Sequence, residues 1–445
     1  MVTYQDFLRA SNTDANKTAF VKSCIEKHKA SSLYQTAVLA DEYDRHQNRT
    51  IKRYQKLLHD MTGKAIPDMW GANYKMASKF FPRFIVQENQ YLLGNGITWK
   101  ESGTKDKLGV DFDTQMQKLG RMALSGGVAF GFWNYDHMEP FSVLQFVPLY
   151  DEENGALMAG VRFWQIDTNK PLRVTLYEVD GYTDYIWDEN HPQGFILHDK
   201  RSYIEKTVST PADGTEIYAG ENYPSFPIVP LWANSQKQSE IVGLQEQIDC
   251  YDLIKSGYAN NVDEGSLIYW TLNNAGGMDD IDLEKFVKKM KTLHAATTED
   301  GVQAESHTME APFQSREALL AKLRSDLYED AMALDTKNIA NGAVTATQIK
   351  AAYEPLNAKT DEYEYCVIDF LQGILAIAGL EDTPTFNRSM IVNSQEEVQL
   401  LISSAQYLPE GYVTKKIVTL LGDGDDAEEI LKQMTANELD RGDIE

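Results

Sequence analysis

At 445 residues the chain is too long for a single hydrophobic core and calls for two or more packed regions. Its 42% hydrophobic and 11% aromatic content is ample for a globular fold and excludes wholesale disorder. Forty-two basic residues against 67 acidic ones leave a net charge of −25. That excludes a broad surface that grips nucleic acid, though not one that nucleic acid passes without sticking. The N-terminus has no basic n-region followed by an apolar run, and no apolar stretch is long enough to span a bilayer. A soluble protein made in a cytoplasm is expected. The three cysteines, Cys24, Cys250 and Cys366, are odd in number and far apart, so reduced thiols are expected rather than disulfides or a zinc site.

Residues 1–95 read as helices. The clearest runs from about Asn73 to Leu93, with Met76, Phe80, Phe84 and Tyr91 along one side. Pro82 should kink it and Gly94-Asn95-Gly96 should end it. A further helix, about Asp113–Leu124, stops at Ser125-Gly126-Gly127. From Val128 to Trp232 the chain turns to alternating Val, Tyr, Phe and Trp, the mark of antiparallel strands. Strands are expected near Ala129–Tyr135, Val143–Leu149, Met158–Gln165, Arg173–Val179 and Tyr182–Trp187. Asp180-Gly181 reads as a hairpin turn, and Pro224, Pro227 and Pro230 close the region.

A helix from about Ser235 to Asn261 follows. Ile241, Leu244, Ile248, Tyr251, Ile254 and Tyr258 make one apolar stripe, with Gln245, Asp249, Asp252 and Ser256 on the other side. Next comes a small β-α-β insertion: a strand near Leu267–Leu272, a helix near Asp282–Leu293 and a weaker strand near Val302–Met309. A second long helix, about Gln314–Leu334, carries Leu320, Leu323, Leu327, Ala331 and Leu334 on one face. A polar loop, Asp335 to Ala346, leads to a third helix, about Thr347–Ala378, with Pro355 inside it. A strand near Thr385–Ile391 and terminal helices complete the α+β pattern.

Catalytic signals are weak throughout. Thr62-Gly63-Lys64 resembles the end of a phosphate-binding loop, but Leu58 stands where its first glycine belongs and no strand precedes it. Gly94-Asn95-Gly96 lacks the third glycine of a dinucleotide fingerprint and follows a helix. Asp423-Gly424-Asp425-Asp426 lacks the spaced ligands of a calcium loop, and a solvated turn or helix cap explains it. The histidines fall singly, and there is no GxSxG. No catalytic, cofactor or metal residue is expected.

The order of parts is the informative signal. Asn73-Tyr-Lys-Met, Phe84-Ile-Val-Gln and Tyr91-Leu-Leu-Gly-Asn-Gly-Ile-Thr resemble an early helix ending in a Tyr-Leu-x-Gly turn. Leu124-Ser-Gly-Gly-Val-Ala-Phe-Gly is similar to a helix-to-strand junction. Phe146-Val-Pro-Leu-Tyr, Gly160-Val-Arg-Phe-Trp and Thr175-Leu-Tyr-Glu-Val are similar to central strands, and Thr345-Ala-Thr-Gln-Ile-Lys to the start of a long helix kinked at Pro355. Taken in this order, over nearly the whole chain, they resemble the portal proteins of tailed bacteriophages. One departure is that the family often has Ser-Gly directly before the long helix, whereas Gly342 lies three residues before Thr345 here.

The resemblance implies a helical wing part (1–127), a β wing part (128–234) and a first stem helix (235–264). It then implies a clip (265–312), a second stem helix (313–334), a tunnel loop (335–346), a long kinked helix (347–381), and a wing strand with a helical crown (382–445). It implies a homo-oligomeric ring, dodecameric in virions, at one capsid vertex, assembled in the host cytoplasm and passing double-stranded DNA in and out. The partners implied are the terminase large subunit, head-completion or connector proteins, and major capsid and scaffolding proteins, with no membrane, no cofactor and no enzymatic activity. In such a ring Gln245, Asp249 and Asp252 would face the channel and repel phosphates. Lys337, Asn338 and Asn341 of the tunnel loop would meet DNA, and Lys288, Lys289 and Lys291 of the clip would form a docking patch. A helix of ~25 residues spans roughly 38 Å, enough for a channel wall. Two other readings fit the composition: an acidic intracellular enzyme whose site is scattered along the chain, and another minor head protein of a phage. The second does not account for the insertion between two striped helices.

Overall fold

The computed structural model describes residues 2–11, 13–59, 64–68, 71–101, 103–209, 217–265, 269–273, 303–307, 313–337, 346–388 and 394–421. The chain opens with α1 (Tyr4–Ala10), α2 (Asp14–Lys29), α3 (Ser32–Asp44) and α4 (Arg49–Arg53), then a short hairpin, β1 (Leu57–His59) with β2 (Ala65–Pro67). Next come α5 (Phe80–Leu93), β3 (Ile97–Trp99), α6 (Thr104–Leu108) and α7 (Phe112–Gly126). The β region holds β4 (Val128–Asn134), β5 (His137–Ser142), β6 (Phe146–Tyr150), β7 (Leu157–Trp164) and β8 (Leu172–Glu178). It continues through β9 (Gly181–Trp187), β10 (Phe195–Ile196), β11 (Ile204–Ser209), β12 (Ile217–Glu221) and β13 (Ile228–Trp232). Then follow α8 (Gln245–Gly265), β14 (Tyr269–Asn273), β15 (Gln303–His307), α9 (Phe313–Asp330) and α10 (Ala346–Ala378). The described part ends with β16 (Pro384–Phe386), α11 (Ser394–Ser404) and α12 (Glu410–Leu421). The mixture of helix and sheet is the α+β class that the sequence pattern indicates.

The chain forms two compact units, one of Met1–Ala37, Phe84–Glu240 and Ala331–Glu445, the other of Val38–Arg83 and Ile241–Asp330. In the first unit, β6 to β10 make a five-stranded antiparallel meander, and β13, β4 and β5 make a three-stranded sheet. Alternation places Val147, Leu149, Val161, Val174, Leu176 and Tyr185 on one face of the meander, where Val21, Cys24 and Ile25 of α2 pack against them. α10 lies on the other sheet: Gly131 of β4 leaves room for the Phe370 ring, and Gly373 of α10 for Val229 of β13. His28 is buried and bonds the Val143 carbonyl through Nε2 at 2.8 Å. Burial pushes its imidazole down from the ordinary range.

Most expected elements appear within a few residues of their expected limits, and the differences have local causes. Residues 73–79 are not helical, so α5 starts at Phe80. Pro82 then falls in the first turn, where no N–H is needed, and the expected kink has no cause. Strands β1, which precedes Thr62-Gly63-Lys64, β2, β3, β5 and β10 to β13 lie outside the expected ones. At β5, Tyr135-Asp136 turns the chain without a glycine, Tyr135 taking a φ of 60° while its N–H donates to the Tyr223 hydroxyl at 2.7 Å. β13 is a strand despite Pro230 because it lies at the edge of its sheet. The β8–β9 hairpin turns on Val179-Asp180, one residue before the expected pair, since Glu178 pairs with Gly181. The start of α8 is delayed to Gln245 by two left-handed residues, Lys237 at φ 57° and Gly243 at φ 88°. α9 ends at Asp330, four residues early, because Met332 takes a φ of 51°. Pro355 lies inside α10, as expected.

Gly160 of β7 faces the Phe146 ring so closely that a Cβ would overlap it. Gly160→Ala is therefore expected to destabilise the protein by about 2 kcal/mol or more, through displacement of a fully buried phenylalanine, measured as a lowered urea midpoint.

Candidate functional site

In the second unit α8 and α9 pack on each other. Phe80, Tyr251 and Tyr328 form an aromatic knot, with Phe80 edge-on to Tyr251 at 5.0 Å and to Tyr328 at 6.1 Å between centroids. The Arg324 guanidinium lies 4.7 Å from the Tyr328 ring centroid, and Gln247 bonds Asp330 across the pair. Of the leucines expected between the helices, Leu327 is fully buried, whereas Leu320 and Leu323 are half-buried. At 1.5 Å per residue α8 and α9 reach roughly 30 Å each. Strands β14 and β15 lie between them in sequence and pair antiparallel from Tyr269↔His307 to Asn273↔Gln303.

The polar side of α8 receives backbone. Asp252, Ser256 and Asn260 recur at four-residue steps, one above another along the helix. The stretch before α5 runs past them extended, and its alternate N–H groups donate in turn. Ser78 N donates to Asp252 Oδ1 at 2.8 Å, Met76 N to Ser256 Oγ at 2.9 Å and Tyr74 N to Asn260 Oδ1 at 2.7 Å. Two residues of extended chain and one turn of helix both advance about 6 Å, so the two repeats stay in step. This is why residues 73–79 stay out of the helix that their composition suggests.

Asp252 and Asp249, the acids expected to face a channel, are bonded within the second unit. Asp252 is fully buried; besides Ser78 N it accepts from Asn48 Nδ2 at 2.5 Å. Burial pushes its carboxyl up from the ordinary range, opposed by the bonds from Asn48 and Ser78. Asp249 is half-buried and accepts from the Tyr43 hydroxyl, from Thr50 Oγ1 at 2.7 Å and from Gln245 Nε2 at 3.4 Å. Asp252 thus presents no exposed surface, while Asp249 and Gln245 are half-buried and bonded to each other. Lys337 is exposed, its N–H bonded to Asp335 Oδ1 at 3.1 Å. Asn338, Asn341, Lys288, Lys289 and Lys291 lie outside the described residues.

Sequence reasoning missed a buried ion cluster in the first unit. The Lys359 ammonium of α10 lies 2.9 Å from Glu88 Oε2 of α5 and 2.7 Å from Glu240 Oε2, and donates to the Ala331 carbonyl at 3.3 Å. Burial opposes the ammonium, but the two carboxylates overcome it and push its pKa up. Burial pushes the Glu88 carboxyl up to about 7, Lys359 opposing the rise and Glu240 adding to it. The signal was present: Glu88 stands in the apolar series Phe81, Phe84, Ile85, Leu92, and Lys359 in the series Leu356, Tyr363, Val367, Phe370. A charge on an apolar stripe calls for a partner of opposite charge.

Among the described residues no group of three or more His, Cys, Asp or Glu side chains could hold a metal ion. None of the described helices is long and apolar enough to cross a membrane. A family model, phage portal protein of the SPP1 Gp6-like type, matches residues 40–439. The chain belongs to this family. Portal proteins are a structural family, not an enzyme family. Similar curated proteins carry the same name: the portal protein of Clostridium phage phiCD119 is 29% identical over 205 residues, 43% of this chain and 45% of that one. The portal protein of Bacillus phage SPP1 is 21% identical over 393 residues, 79% of this chain and 74% of that one. The match to the first thus spans less than half of that relative's length. Among solved structures, a chain from the neck of a native gene transfer agent particle, computed with C12 symmetry, gives a TM-score of 0.43 at 10% identity, covering 77% of this chain and 89% of that one.

Two predictions separate these interior roles from surface ones. Asp252→Ala strands the Asn48 amide and the Ser78 N–H, so it should cost about 2–4 kcal/mol. An exposed wall residue would change stability by within about 0.5 kcal/mol, and a urea titration tells the two apart. Lys359→Met should cost about 3 kcal/mol at neutral pH, because it leaves the buried Glu88 and the half-buried Glu240 without their cation. The folded state keeps the Glu88 proton to a higher pH than the unfolded chain. Its contribution is thus full below about 4.5 and lost as pH rises to about 7. Glu88→Gln should flatten that part of the stability-against-pH curve.

Proposed function

We propose that this chain is the subunit of a portal ring, dodecameric at one capsid vertex, through which double-stranded DNA is packaged and ejected. The observation that carries the reading is the family match across residues 40–439, joined to the order of α8, the antiparallel pair β14 and β15, and α9. In this reading α8 and α9 are the helices of the stem segments 235–264 and 313–334, and residues 265–312 are the clip. Residues 1–127 and 128–234 are the helical and β parts of the wing, 347–381 its long kinked helix, and 382–445 its last strand and the crown. The half-buried Leu320 and Leu323 suit further burial by a neighbouring subunit.

The ring docks the terminase large subunit during filling and head-completion proteins afterwards, and contacts the major capsid and scaffolding proteins within the virion. It hydrolyses nothing itself. Lys288, Lys289 and Lys291 of the clip serve docking. The loop 335–346 lines the narrowest part of the channel, where Lys337, Asn338 and Asn341 meet DNA. Ring symmetry turns one exposed lysine per subunit into a circle of cations, a salt-screened contact suited to sliding.

Sedimentation and negative-stain microscopy of the purified protein test the ring. Closed rings with a central hole are expected at high protein concentration, and a strictly monomeric species with a turnover activity would end the reading. Lys337→Glu should leave rings intact while changing packaging efficiency or genome retention. Unchanged values for both would remove the loop's role.

A further inference from the structure

We propose that Gln87 of α5 is a positioning residue that fixes where the segment beginning at Asp335 leaves the body of the first unit. For the use of that segment the proposal rests on the channel reading above; for the clamp itself it rests on geometry. Gln87 Nε2 donates to the Leu334 carbonyl at 3.1 Å, and Gln87 Oε1 accepts from the Leu334 N–H at 3.2 Å. One planar carboxamide thus satisfies both polar groups of a single backbone residue, as a strand partner would. Two bonds from one rigid group fix orientation as well as position, which a single bond leaves free to rotate.

The neighbouring contacts reinforce this foot. Lys359 donates to the Ala331 carbonyl three residues earlier, and Met332 between them takes a left-handed φ of 51°. An L residue held in that conformation needs its surroundings to enforce it. The Leu334 side chain is buried in a cluster with Tyr91, Ile349, Tyr353 and Leu356. Tyr91 stands one turn beyond Gln87 on α5, stacks on Tyr353 at 5.6 Å and donates to Asn357 Oδ1 at 2.5 Å. Ile349, in the first turn of α10, is the corresponding foot on the far side. One face of α5 therefore holds Leu334 through Gln87 and meets Ile349 in the Tyr91 cluster. Lys337 is exposed three residues beyond the clamped amide, close enough that the clamp sets its height. In a ring, equal heights in every subunit are what turn separate lysines into one circle.

The test is hydrogen exchange read by mass spectrometry on the full-length protein, with Gln87→Met, which keeps volume and loses both bonds, and Gln87→Glu, which keeps the acceptor and loses the donor. In Gln87→Met, exchange over 331–337 should quicken about tenfold while α5, α10 and the thermal midpoint stay as in the parent. Gln87→Glu should restore part of the protection, because Leu334 N–H keeps an acceptor. Unchanged exchange in Gln87→Met overturns the clamp. Faster exchange throughout the unit overturns it too, because Gln87 would then be a general packing residue. DNA packaging by the same variants, beside Lys337→Glu, separates clamp from channel. Altered packaging in both Gln87→Met and Lys337→Glu supports positioning. Altered packaging in Lys337→Glu alone overturns the positioning role and leaves the channel reading standing. If neither alters packaging, the channel reading fails, and the clamp's positioning of a DNA contact fails with it.

Discussion

An ammonium taken out of water must be given acceptors, and Lys359 meets that demand by drawing three separate stretches of the first unit to one point. Glu88 comes from α5, Glu240 from the residues ahead of α8, and the Ala331 carbonyl from the residue after α9. These are distant in sequence, and no apolar contact would specify their meeting so narrowly, since greasy surfaces slide where charge pairs do not. The cluster brings two carboxylates to one ammonium, and burial, with Glu240 adding to it, raises the Glu88 pKa. Around it the small residues make sense: Gly120 of α7 admits Tyr363 and Asn89, one position from Glu88.

The β meander and the long helices were legible because their patterns are local. Period-two alternation in β9 and the stripe through Leu356, Tyr363 and Val367 state their buried faces without help from the rest of the chain. What was not legible is where a polar residue sends its polarity. Lys359 and Glu88 break their stripes visibly, but the partner of each lies far away in sequence. Tyr135-Asp136 makes a turn that sequence rules assign to glycine and asparagine, because Tyr223, 88 residues on, supplies the bond that holds it.

The polar stripe of α8 shows the limit most clearly. Gln245, Asp249, Asp252 and Ser256 lie opposite an apolar stripe, and amphipathic logic assigns such a face to water. It holds when nothing else competes for the face. Here a neighbouring stretch of chain does compete, because residues 73–79 carry backbone N–H groups that need acceptors once they leave solvent. Asp252, Ser256 and Asn260 are short, carry acceptor oxygens and recur at the spacing that stretch demands. Long acids such as Glu would reach past the backbone into solvent, and Lys would offer donors where acceptors are needed. Residue type and spacing together, rather than polarity, distinguish a face that binds backbone from one that faces water.

The same distinction bears on the protein's large negative charge. Asp252 is fully buried in the second unit, so the field that the charge of −25 casts at the surface comes mainly from other acids. A net charge acts over a Debye length and needs no particular wall residue to discourage adhesion. A ring that passes DNA therefore does not require acids on the stem lining. It requires that cations be few and well placed there. On the portal reading proposed above, Lys337, three residues beyond the backbone that Gln87 holds, would be such a cation, because a weak attraction is useful for sliding only when its position is held constant.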